Sequence, residues 1–199
     1  DPFPADVMID RGRIAAVGRI EPPEGCPVLD AARRCLTPGF MDIHRHADLQ
    51  ALAPGFGAAE LTQGITGCVC GNCGMSAAPC PPGREEMLHR YLEPCLGKAP
   101  AREAYPAFAD YASRLRAAPL ALNMGALVGN GAVRIAVKGF DPSPMSAAEM
   151  DRAKAHLSEA LAAGALGLSL GLMYAPECNY SFDELVELAS VVARRGGVV

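Results

Sequence analysis

The chain has 199 residues, half of them apolar and one fifth charged, with 21 Gly and 17 Pro, the balance of a globular chain with one sizeable domain and a small appendage rather than of a disordered or collagen-like one. Eighteen basic residues against 22 acidic leave a formal charge of -4 without a basic cluster, so the field that draws proteins to phosphate backbones is missing and nucleic acid is excluded as a partner. No apolar run approaches the roughly 18 residues of a membrane span, and the opening Asp-Pro-Phe-Pro-Ala-Asp has no secretory character, which gives the expectation of a soluble cytoplasmic chain with no membrane partner.

In chain order, Asp6 to Asp10 and Arg13 to Gly18 flank Arg11-Gly12 and read as a β-hairpin. Further β structure is expected at Val28-Leu29-Asp30 and Cys35-Leu36, with a domain boundary near Pro38. Beyond it, the apolar segments Phe40 to His44, Thr66 to Cys70, Leu122 to Val128 and Ala165 to Leu170 are predicted strands, with a fifth beginning at Gly197-Val198-Val199. Helices are predicted over Arg84 to Cys95, over Glu103 to Ala117 with Pro106 in the first turn, and after the capping boxes Ser146-Ala-Ala-Glu149 and Ser181-Phe-Asp-Glu184. Repeating βα units after a β-rich start predict an α/β fold with a parallel sheet, either a barrel or a doubly wound sheet.

Eight cysteines in a chain of this length and apolarity read as free thiols rather than a disulfide framework. Chemistry concentrates in two places. Pro38-Gly39-Phe40-Met41-Asp42-Ile43-His44-Arg45-His46 sets two histidines two apart at the end of an apolar strand, where alternation sends both imidazoles to one face and Arg45 to the other. In isolation an H-x-H is two polar residues finishing a strand by roughly two to one over a metal pair. The C-terminal end of a parallel barrel strand, where active sites are built, favours the metal pair.

The second place is Gly64 to Ser76, where a strand breaks into Gly71-Asn72-Cys73-Gly74. Cys68 and Cys70 share a strand face and read as small core residues. Cys70 and Cys73 form a C-x2-C that admits half a structural zinc site or a redox pair. No second C-x2-C or H-x3-5-H follows, and the two glycines favour a turn over the helix that a redox pair opens. Cys73 as a lone thiolate ligand fits better.

With these residues in view, the sequence resembles the N-acyl-D-amino-acid deacylase, or D-aminoacylase, branch of the amidohydrolase superfamily along its whole length. The likeness is carried by P-G-F-M-D-I-H-R-H, by G-I-T-G-C-V-C-G-N-C-G-M-S-A-A-P, by Asn123 to Arg134 (N-M-G-A-L-V-G-N-G-A-V-R) and by Gly164 to Pro176 (G-A-L-G-L-S-L-G-L-M-Y-A-P). The first is shared across the superfamily, and the second and fourth are specific to the branch. The resemblance implies part of a small β-sandwich over residues 1–38, followed over 39–199 by the N-terminal half of a metal-dependent (β/α)8 TIM-type barrel that hydrolyses the amide of a small N-acyl-D-amino acid. It makes His44 and His46 the first-strand metal ligands and Cys73 the ligand peculiar to this branch, with zinc the ion that imidazole and thiolate donors favour. Other amidohydrolases bridge their metals with a carboxylated lysine on the fourth strand, and Ala165 to Leu170 holds neither Lys nor Glu.

The resemblance also implies an Asp on a late strand as the proton shuttle, outside this chain, so no catalytic residue is assigned within it. Asp48 admits two readings, an acid beside H-x-H or a helix-start residue. Met173 and Tyr174 follow the fourth strand and line the acyl or side-chain pocket, or simply pack. Arg45, Asn130, Leu170 and Glu177 depart from the branch pattern, in which a small residue, His, Thr and Gly are usual. His89 and His156 sit beside charged residues on predicted helices and read as solvated. A complete barrel takes about 250 residues and about 160 follow Pro38. The expectation is therefore a fragment, weakly active or inactive alone. The alternatives are another amidohydrolase such as an N-acyl-D-glutamate or N-acyl-D-aspartate deacylase, and a non-catalytic metal-binding half-barrel. Nothing in the sequence signals oligomeric state.

Overall fold

The computed structural model describes residues 3–98 and 104–199. Contacts divide the chain into two compact units, Asp1–Pro38 and Gly39–Val199. In the first, β1 (Asp6–Asp10) and β2 (Arg13–Gly18) pair antiparallel, with Val7 opposite Val17 and Asp10 opposite Arg13. Arg11 and Gly12 both take positive φ, 48° and 72°, the turn whose twist suits a two-residue hairpin. The strands expected at Val28–Asp30 and Cys35–Leu36 do not form, and Leu29 is 94% exposed. An apolar run becomes a strand only where another strand offers backbone groups to pair with, and the described residues of this unit supply no such partner.

The second unit is a mixed α/β fold with open parallel sheets. β3 (Phe40–Asp42), β4 (Ile65–Cys70) and β5 (Asn123–Ala126) form one, and β6 (Val128–Gly129) with β7 (Leu168–Ser169) the other. Leu127 joins them: its N–H donates to Cys70 O (2.9 Å), while Leu166 N donates to Ala126 O (2.8 Å) and Val128 N to Gly167 O (2.9 Å). The expected strand Leu122–Val128 thus appears as two because it changes neighbour at Leu127. Spatial order follows chain order, and Val198 adds a parallel bridge to Gly167. Met41 and Leu166, which lie over Gly67 and Gly125 on one face, are exposed.

The described residues form six helices, α1 (Ala58–Thr62), α2 (Glu85–Leu96), α3 (Phe108–Ala117), α4 (Asn130–Val137), α5 (Ala147–Ala162) and α6 (Phe182–Arg194), with α1 packed on β4 and α4 on β6. α5 and α6 begin at the capping boxes: Ser146 Oγ accepts from Glu149 N at 3.3 Å and Ser181 Oγ from Glu184 N at 3.2 Å, with each Glu returning a bond to the Ser N–H at 2.7 Å. α3 starts at Phe108, so Pro106 precedes the helix rather than occupying its first turn; Glu103 lies outside the described residues.

Met150, Ala153, Leu157 and Ala160 form the buried stripe of α5 at helical spacing, against α3, α4 and α6. With Leu88 and Leu92 of α2, Tyr111 of α3, Val128, Leu168 and Leu188, they make the core. Cutting one such leucine to alanine costs about 2–5 kcal/mol. α4 was not expected from the sequence. Every residue of it is buried, so it has no polar face to create a 3.6-residue alternation, and its opening Gly-Asn-Gly reads as a turn. No helix of the described residues is long and apolar enough to cross a membrane.

Candidate metal centre

The site forms where β3 and β4 end. β3 stops at Asp42, two residues sooner than expected, because Asp42 Oδ1 accepts from His44 N (3.1 Å), a local bond that competes with the sheet ladder. Strand alternation therefore does not orient His44 and His46; an irregular segment brings the rings together, with centroids 5.6 Å apart and planes at 76°. Arg45 pairs with Glu60 and Asp42 and lies 5.7 Å from the centre of the Phe56 ring.

The second arm is the turn after β4. Gly71, Cys73 and Gly74 all adopt positive φ, 78°, 54° and 71°, so no helix starts there. Cys73 Sγ comes 3.2 Å from His44 Nε2, and donor atoms of His44, His46 and Cys73 all lie within 4.8 Å of one another. Ligand atoms of one tetrahedral zinc stand roughly 3.3–3.8 Å apart, so a small convergence of side chains would hold an ion. Burial, and then the neighbouring His44, lower the His46 pKa, which favours the neutral imidazole a metal requires. His46 Nδ1 is buried without a hydrogen-bond partner. Burial raises the Cys73 pKa, helped by Cys95 and Glu177; a bound cation would reverse this, since a coordinating thiol is deprotonated. Donor chemistry and spacing fit a zinc-type ion.

Cys68 and Cys70 lie in the core, Cys68 Sγ 3.1 Å from Met124 Sδ and Cys70 Sγ 3.6 Å from Tyr111 Oη, with burial raising both pKa values. All eight cysteines are free. Asp48 is fully buried and caps no helix. Its Oδ2 accepts from Gly71 N at 3.2 Å, and burial pushes its pKa up to about 7 against several hydrogen bonds that lower it. It braces the root of the Cys73 turn. Tyr174 donates its hydroxyl to Cys73 O, while Met173 is almost wholly exposed. His89 and His156 are partly buried on α2 and α5, outside the cluster.

Two residues at this site escaped the sequence reading. Ser169, at the end of β7, accepts from Gly74 N (2.9 Å) and donates to Gly71 O, spanning the turn. Glu177 is fully buried, with Oε1 accepting from Tyr91 Oη (3.1 Å) and Oε2 from Gly171 N (2.9 Å). Its signal was present as an acid in an otherwise uncharged stretch, noted only as a departure from the branch pattern.

No family model matches the sequence. Among characterised proteins it is 36% identical over 196 residues to N-acyl-D-aspartate deacylase and 38% identical over 196 residues to N-acyl-D-glutamate deacylase, both from Alcaligenes xylosoxydans xylosoxydans, each match covering 98% of this chain and 38% of the relative. It is 30% identical to D-aminoacylase of the same organism. Among solved structures, N-acyl-D-glutamate deacylase from Bordetella bronchiseptica, complexed with zinc and a phosphonate inhibitor that mimics the tetrahedral intermediate, superposes with a TM-score of 0.80 at 35% identity, over 96% of this chain and 39% of that one. A D-aminoacylase with a binuclear metal centre gives 0.76 at 31%, over 97% and 40%. The fold matches that of solved D-aminoacylases, a subset of the amidohydrolases. Along nearly its whole length the sequence is similar to N-acyl-D-amino-acid deacylases, and it spans about two fifths of the length of the relatives it matches.

Proposed function

We propose that this chain forms the zinc-binding half of an enzyme that hydrolyses the amide of N-acyl-D-amino acids. Residues 1–38 are part of a small β-sandwich, and 39–199 are the N-terminal half of a (β/α)8 barrel. The parallel strands in chain order, alternating with helices along the chain, and the exposed Met41 and Leu166 support the barrel reading. The observation that carries the function is the meeting of His44, His46 and Cys73 donor atoms within 4.8 Å at the strand ends. Bound there, zinc would polarise the scissile carbonyl and lower the pKa of water.

The chain's own residues supply position. His44 and His46 would hold the ion through ring nitrogens and Cys73 through its sulfur, while Asp48 and Ser169 fix the turn that carries the thiol. Met173 and Tyr174 border the substrate pocket. The proton shuttle is not among these residues, and the 199-residue chain is expected to be weakly active or inactive by itself. Eight free thiols support a reducing compartment, the cytoplasm.

Metal analysis tests the reading: the wild-type chain should retain zinc through gel filtration, and Cys73→Ala and His44→Ala should lose it. Unchanged content in both variants would reject the site. A second reading, an acidic substrate, is favoured by the higher identity to the D-glutamate and D-aspartate deacylases than to D-aminoacylase. Comparing N-acetyl-D-glutamate, N-acetyl-D-aspartate and N-acetyl-D-leucine as substrates separates the two.

A further inference from the structure

The turn that carries Cys73 does not hold itself. Cys73 stands at a φ of 54°, a left-handed conformation that costs a residue with a β-carbon roughly 1–2 kcal/mol, and the recorded backbone bond within the segment is Met75 N to Asn72 O (2.9 Å). Its other partners come from elsewhere in the chain. Gly74 O accepts from Gly131 N (3.1 Å) and Ala132 N (3.3 Å), and Cys73 O accepts from the Tyr174 hydroxyl.

Glu177 sits behind this turn. Its carboxylate lies so close to Gly74 that a β-carbon there would overlap it. Its bonds come from Tyr91 Oη and Gly171 N rather than from a cation, and Tyr91 Oη is itself 3.4 Å from Gly74 O. Burying a carboxylate without a counter-charge is costly, and an apolar residue would fill the space without that cost. What an apolar residue lacks is a fork that ties the Gly171–Glu177 segment to Tyr91 and backs the Cys73 turn.

We propose that Glu177 is a positioning residue for the Cys73 thiol: wedged against Gly74 and anchored to Gly171 and Tyr91, it holds the turn in the conformation that brings Sγ to His44. This rests on the zinc-site reading above. The two ends of Glu177 need not both be anionic. In Glu177→Gln the amide oxygen can keep Gly171 N, and the NH2 can donate to Tyr91, whose hydroxyl then turns to Gly74 O.

The test is cobalt(II) titration of the 199-residue chain, following the thiolate-to-cobalt charge-transfer band, with Cys73→Ala defining which absorbance belongs to Cys73. Glu177→Leu should weaken cobalt binding about 10- to 100-fold, the usual effect of losing a group that orients a ligand, and diminish the band, while Glu177→Gln stays within about threefold of wild type. Should circular dichroism show Glu177→Leu unfolded, Glu177→Asp carries the test. It keeps the charge but is one methylene short of its partners, and should lose at least about fivefold. A Cys73-dependent band and affinity unchanged in Glu177→Leu, or in Glu177→Asp where Leu does not fold, overturn the positioning role alone. A glutamine variant as weak as the leucine variant also overturns it. A wild-type chain with no Cys73-dependent band overturns the zinc site, and this inference with it.

Discussion

Gly129 offers a test of how firmly the Cys73 turn is held. It ends β6 with an ordinary φ of -76°, so alanine is allowed by the backbone, and the lost freedom of the unfolded chain alone would stabilise Gly129→Ala by about 0.4–1 kcal/mol. The surroundings oppose this. A β-carbon at Gly129 would overlap the carbonyl of Gly74 and the nitrogen of Met75, backbone atoms that cannot rotate away. Gly74 is tied by bonds to Ser169 Oγ, Gly131 N and Ala132 N. Displacing it sacrifices two or three of these at about 0.5–1.5 kcal/mol each, so after the entropic gain the net loss is about 2 kcal/mol. With a urea m-value near 2 kcal/mol/M, the unfolding midpoint should fall by about 1 M. Cobalt affinity should fall about tenfold in the folded variant, since the thiol moves with Gly74. A midpoint equal to or above that of wild type, with metal affinity intact, would mean that the turn yields freely and is not clamped.

The metal-free chain should lose stability as pH rises from about 4.5 to 7. Burial pushes Glu177 from its ordinary 4.5 up to about 7, so the folded state binds more protons in that window; the stability present below the unfolded pKa is lost by up to about 3 kcal/mol. Asp48 tilts the profile in the same direction, so the difference between wild type and Glu177→Gln in urea melts at pH 5 and pH 8 isolates Glu177, and identical slopes would refute its share. Tyr111→Phe removes the hydroxyl that donates to Asp48 O at 2.9 Å and leaves the ring in place; it should cost about 1–2 kcal/mol for the orphaned carbonyl, and a loss below about 0.5 would show that water replaces the donor. Ser146→Ala should cost about 1 kcal/mol, and Ser146→Gly only a few tenths, as expected of an N-cap. Equal losses in thermal melts would argue against that role.

The parts of the fold legible in sequence were those encoded locally. Two Ser-x-x-Glu boxes set the starts of α5 and α6, and Arg11-Gly12 set the hairpin turn. The strands were found by apolarity, yet their lengths were overestimated wherever neighbours decide: β7 keeps two residues and β3 stops at Asp42. α4 was hidden by total burial. At the site, His44, His46 and Cys73 were named from spacing and resemblance, although the strand alternation invoked for the histidines is absent. The roles of Ser169 and Glu177 were not legible, because they lie in contacts to Gly74, 95 and 103 residues away in sequence; only the isolated charge of Glu177 in an uncharged stretch marked it out.

The end of β7 also shows how the turn that carries Cys73 is supported. The segment from Ala165 to Leu170 carries no charged side chain and no His or Cys. Ser169 points to Gly71 and Gly74 and makes hydrogen bonds at both ends of the turn, while Tyr174 and Glu177, a few residues on, reach Cys73 O and the back of Gly74. β7 and the loop after it thus support the turn that follows β4. Replacing Ser169 by alanine removes both of its hydrogen bonds to the turn and leaves Tyr174 and Glu177 in place, so the turn should loosen at Gly71 and Gly74 while Cys73 O keeps its donor.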